Sequence, residues 1–187
     1  VDPANIVLSE IPFFDELLRW GFRENAMQQA GPFLKDAINL YGARRNKQQQ
    51  NLFIKADSWH IHFYKELRQL YPHTPFLLLY RRPDEVVRSH QKKRGMQAVP
   101  GLIEPGIFGF DKDSISHADL DGHMAKVLET YYHAFMEVLQ KDKLAFAFDY
   151  KEGMVNIIQD MLANCGISVS EEQLAAIKER GSRHSKF

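Results

Sequence analysis

Four short apolar runs punctuate the chain: Asn5–Ser9 (NIVLS), Leu52–Lys55 (LFIK), Pro75–Tyr80 (PFLLLY) and Leu144–Phe148 (LAFAF). Each is too brief for a helix, is rich in β-branched or aromatic residues and is apolar on both faces. That is the pattern of strands covered from both sides. Between the runs, apolar positions recur with the period of a helix. Strands alternating with helices predict an α/β fold, a mainly parallel sheet flanked by helices.

Capping chemistry predicts where several helices begin and end. Ser58 is placed to cap a helix running to Tyr71, with Pro72 stopping it. Pro83 suits a first helical position, Asp84 and Glu85 suit the first turn, and Gly95 suits the exit. A long helix is expected over Leu120 to Leu139 and another from Glu152 to Asn164. Ser170-Glu171-Glu172-Gln173 reads as a capping box, with Gly181 closing the helix it opens. Trp59, Phe63 and Leu67 fall on one helical stripe and are assigned to the core. Met96 to Lys112 breaks the pattern with Pro100, Gly101, Pro105, Gly106 and Gly109. A stretch of this kind is either a lid over a binding site or a surface excursion packed by its own aromatics, Phe108 and Phe110.

Composition narrows the class. The 187 residues carry 24 Lys+Arg against 24 Asp+Glu, a formal net charge of +0, with 44% hydrophobic residues. This excludes a broadly basic nucleic-acid surface and an acidic disordered chain. The length suits a single domain over 1–187. The lone Cys165 excludes an internal disulfide framework and is read as a small buried hydrophobe. No apolar run is long enough to span a bilayer as a helix, and no signal peptide is in view. The chain opens at Val1 and enters a strand by Asn5, so the expectation is an N-terminally incomplete, cytoplasmic domain. Other constellations carry less. His60 and His62 stand about 200° apart on a helix and do not share a metal, and His117 and His123 lack a ligand pattern and are placed at the surface. No Gly-x-Ser-x-Gly elbow supports a hydrolase.

The zero net charge hides two cationic segments, a local +4 from Arg81 to Arg94 and a local +3 from Arg180 to Lys186. Lys92, Lys93 and Arg94 complement a helix C-terminus. Arg81 has no such explanation: it ends a strand just before a helix, where ligands collect in open α/β sheets. Ser89 follows eight residues later, about two turns into that helix and only ~9 Å above its start. A guanidinium fork and a hydroxyl so spaced suit a phosphate dianion. His90 adjoins the same place.

This arrangement resembles the segment with which sulfotransferases hold the 3′-phosphate of 3′-phosphoadenosine 5′-phosphosulfate (PAPS), with Arg81 and Ser89 at the matching positions. Leu52-Phe53-Ile54-Lys55-Ala56-Asp57 looks like the preceding family strand, ending in a lysine that faces the sulfuryl donor. Val7-Leu8-Ser9-Glu10-Ile11-Pro12 looks like a segment of bacterial sulfotransferase-like proteins, with Glu10 at the position of a catalytic base. Arg183-His184-Ser185-Lys186 resembles a basic C-terminal stretch near the nucleotide. Each has a plainer alternative: Lys55 a solvated strand end, Glu10 an acid at a helix N-terminus, Arg183 and Lys186 a solvated tail. The resemblance implies a P-loop NTPase-like topology and sulfuryl transfer from PAPS to a small-molecule or peptide acceptor, with no metal. It departs from the family in one respect. The glycine-rich phosphate loop is not in the sequence; Gly101 and Gly106 have a Walker spacing, but Ile107 replaces the lysine. The family would place that loop, with its strand, immediately before Val1. A P-loop small-molecule kinase and a non-catalytic nucleotide-binding or interaction domain stay open as alternatives.

Overall fold

Pro12 stands in the first turn of a helix, where a missing N–H breaks no hydrogen bond. The computed structural model describes residues 3–9, 11–111 and 117–182. Strand β1 (Asn5–Ser9) leads into α1 (Pro12–Arg23) and α2 (Met27–Tyr41), then β2 (Asn51–Lys55). A 3₁₀ segment (Ser58–Phe63) runs into α3 (Tyr64–Leu70), followed by β3 (Phe76–Tyr80) and α4 (Pro83–Lys92). The long α5 (Leu120–Lys141) precedes β4 (Ala145–Asp149), α6 (Met154–Asn164) and α7 (Glu171–Ser182).

Helices α1 and α2 form a hairpin whose contact depends on a missing side chain. A Cβ on Gly21 would lie 2.5 Å from Met27 Sδ and 2.8 Å from Ala30 Cβ. Phe14 and Leu18 on α1 and Leu34, Ala37 and Ile38 on α2 are buried with Leu8 of β1. The predicted capping box forms at α7: Gln173 N donates to Ser170 Oγ at 3.2 Å, and Ser170 N donates to Gln173 Oε1 at 2.8 Å.

The strands are parallel, as expected, but they do not make one sheet. Among the described residues β1 pairs only with β2, in register Asn5↔Asn51 to Ser9↔Lys55, and β3 only with β4, in register Phe76↔Ala145 to Tyr80↔Asp149. Packing rather than backbone pairing joins the halves. A large core gathers α1, α2, the 3₁₀ segment and α5; a smaller one holds Leu78, Val138 and Ala145; Ile61 packs against both.

Two local expectations change, and one open alternative is decided. The segment from Ser58 begins as a 3₁₀ helix, whose tighter winding aligns residues three apart and buries His60 and Phe63 beside Trp59. Of Met96–Lys112, the part up to 111 is described, and Ala98, Ile103, Ile107 and Phe108 are all core residues. The segment is therefore the packed excursion of the two readings. Arg19 fastens it from α1, donating to both Glu104 oxygens at 2.8 and 3.1 Å, and Arg23 adds a third bond at 3.0 Å. His123 is buried against Phe110 rather than at the surface. Asp119 instead caps α5, accepting from Gly122 N at 2.8 Å.

Candidate functional site

Strand β3 delivers Arg81 to the start of α4, and Pro83 opens that helix as predicted. On α4, residues four apart lie one above the other. Arg81, Glu85 and Ser89 therefore form one stripe, with Glu85 between the two predicted anion ligands. The Arg81 guanidinium is already engaged: Nε donates to Glu85 Oε2 at 2.7 Å, and the group lies over the Tyr150 ring, 5.3 Å from its centroid. Ser89 is half-buried, and its hydroxyl makes no hydrogen bond among the described residues. The i, i+4 spacing of Arg81 and Glu85 is the sequence signal for this pair. Next to the stripe, His90 Nδ1 accepts from Gly95 N at 3.1 Å, and burial, with Arg94 adding, holds its pKa low. His90 thus has a structural task in shaping the exit from α4. Arg94 reaches Asp121 on α5 at 2.7 Å.

Lys55 ends β2, in the other strand pair, and is exposed. One turn of α5 touches both strand ends. The Tyr132 hydroxyl donates to the Arg81 carbonyl at the end of β3. Burial raises the Tyr131 pKa far above the usual tyrosine value; the adjoining Ser58 hydroxyl lowers it and the Asp57 charge raises it further. Ser58 and Asp57 follow the end of β2. Thr130 Oγ1 lies 3.2 Å from His62 Nε2, whose pKa burial lowers. Helix α5 thus brings the C-terminal ends of β2 and β3 to one level of the molecule, which is where an α/β fold concentrates chemistry.

Glu10, Arg183 and Lys186 lie outside the described residues. An open groove of about 520 Å³ runs between α4 and α5, lined by Pro83, Val87, Arg88, Leu128 and Tyr132 among others, with neither Arg81 nor Ser89 on its wall.

No family model matches the chain, and no curated protein gives a significant match.

Sequence reasoning passed over a second constellation. Asp15 in the first turn of α1, Asp57 after β2 and His60 in the 3₁₀ segment bring their ligand atoms within 4.8 Å of one another. Asp57 and His60 stand three apart in sequence, a spacing that 3₁₀ winding aligns. Asp15 comes from a remote helix, and only tertiary packing adds it.

Proposed function

We propose that the chain is a sulfotransferase-like domain of P-loop type that binds PAPS and passes its sulfuryl group to a hydroxyl or amine acceptor. The observation that carries this reading is the Arg81–Glu85–Ser89 stripe at the end of a parallel strand. A guanidinium and a hydroxyl share one helix face, and a carboxylate lies between them. Glu85 serves there as an internal anion, which the 3′-phosphate, with its higher charge, displaces from the fork.

In this proposal the acceptor oxygen attacks sulfur in line. The new S–O bond forms as the bond from sulfur to the 5′-phosphate oxygen breaks, and 3′-phosphoadenosine 5′-phosphate leaves. Glu10 takes the acceptor proton. Lys55 offsets charge growing on the departing oxygen, and Arg183 and Lys186 neutralise the nucleotide. Most of the rate comes from positioning. The phosphate-loop donors that the family uses for the 5′ end are not among these residues, and the stripe at Arg81 supplies the anion contacts of the proposal.

Calorimetric titration with 3′-phosphoadenosine 5′-phosphate tests it. The wild-type chain is expected to bind, and Arg81→Ala to weaken binding more than tenfold. Glu85→Ala is expected to strengthen binding, up to about fivefold, since an exposed ion pair is worth up to about 1 kcal/mol. Equal affinity of wild type and Arg81→Ala sinks the proposal. Binding without transfer to any acceptor, together with indifference to Lys55→Ala and Glu10→Gln, moves the chain to the non-catalytic class.

A further inference from the structure

We infer that Asp15, Asp57 and His60 form a site for a divalent transition-metal ion, of the zinc, cobalt or manganese class. The inference does not depend on the nucleotide reading. Three elements converge here: the first turn of α1, the residues following β2 and the 3₁₀ segment. Their ligand atoms all lie within 4.8 Å of one another. Ligands on one ion with bonds near 2.1 Å are separated by at most about 4.2 Å, so a small closure of side chains completes the set.

His60 supplies the independent sign of a ligand. Its side chain is 8% exposed, and Nε2 lies 2.8 Å from Asp15 Oδ1. Despite that distance, Nε2 is buried without a hydrogen bond of acceptable geometry. A nitrogen–oxygen separation of 2.8 Å is one that two ligands of a single ion also adopt. Buried polar atoms are nearly always satisfied, and a cation bound to both groups satisfies this one. The backbone supports the arrangement, with His60 N donating to the Asp57 carbonyl at 3.0 Å.

Charge and donor type select the ion. Two carboxylates and a neutral imidazole balance a dication. An imidazole with two oxygen donors suits borderline first-row ions better than calcium, which takes all-oxygen shells. Three protein ligands leave positions open for water or substrate, the pattern of a reactive rather than a closed structural site.

The test is titration of chelator-treated chain with Co²⁺, followed by its visible absorption, and with Zn²⁺, followed by thermal unfolding. One equivalent of Co²⁺ is expected to bind, and Zn²⁺ to raise the melting temperature. Asp57→Asn and His60→Gln should each weaken binding at least tenfold and abolish the thermal shift. Asp57 is only half-buried, so Asp57→Asn keeps the test valid where His60→Gln loses its fold; far-UV circular dichroism identifies that case. Absence of saturable uptake by the folded wild-type chain overturns the inference, leaving Asp15 and His60 as an ion pair only. Uptake unchanged in a folded Asp57→Asn chain overturns it as well.

Discussion

At the scale of single residues, the charged side chains divide by what they touch. Arg19 and Glu104 meet through two parallel hydrogen bonds and are 17% and 19% exposed, whereas Arg82 and Asp84 pair at 57% and 39% exposure. The first pair is sheltered enough to matter and the second contributes little. Burial by itself pushes the Glu104 pKa up, but the hydrogen bonds from Arg19 and Arg23 outweigh it, and the net pKa is lowered. A carboxylate depressed on folding stabilises in full above its unfolded pKa, about 4.3, and that share is lost as pH falls through the lower folded value. Glu104→Gln is therefore expected to cost about 1–3 kcal/mol at pH 7. The gap to wild type should close below about pH 4. Urea midpoints measured between pH 3 and 7 check this, and a gap independent of pH refutes it.

At the scale of elements, the segment from Met96 to Asp111 departs furthest from the pattern of its sequence. Five prolines and glycines suggest a mobile loop, yet two 3₁₀ turns fold it onto the core. Glycine acts there for a local reason: Gly109 closes the second turn at φ 74°, a left-handed conformation in which a side chain is strained. Ile103 is 2% exposed while its neighbour Leu102 is 48% exposed. Ile103→Ala should then cost about 2–5 kcal/mol by leaving a cavity, and Leu102→Ala no more than about 0.5 kcal/mol. Chemical denaturation separates the two. Equal small effects would restore a lid to this segment.

At the scale of the whole molecule, the division into two strand pairs is the feature that most shapes behaviour. Each strand has one edge unpaired among the described residues. Val7, Ile54 and Leu79 are 54%, 39% and 45% exposed. Apolar edges of this kind are templates for pairing with another chain. The chain is expected to self-associate with rising concentration in sedimentation velocity, and Ile54→Lys to shift it toward monomer. A chain monomeric at every concentration would show that these edges are protected. Among the described residues, no helix is long and apolar enough to cross a membrane.

The four strands, the helix start at Pro83, the capping box at Ser170 and the burial of Trp59 and Phe63 were all legible in the sequence. Each is a local matter: side-chain period, proline φ and a cap three residues away act within one contiguous stretch. Arg81 and Ser89 take the strand end and helix turn that their spacing predicts, whereas the pairing of Arg81 with Glu85 was not part of the expectation and emerges from the helix they share. Which strands pair depends on contacts between residues far apart in the chain, and no local pattern encodes it. The burial of Phe108 depends likewise on Tyr131 of α5 and His62 of the 3₁₀ segment, whose rings it meets. Asp15 joins Asp57 and His60 only through tertiary packing, since it stands more than forty residues before them in the chain. Local propensity determined the elements; long-range packing decided which side chains share a site.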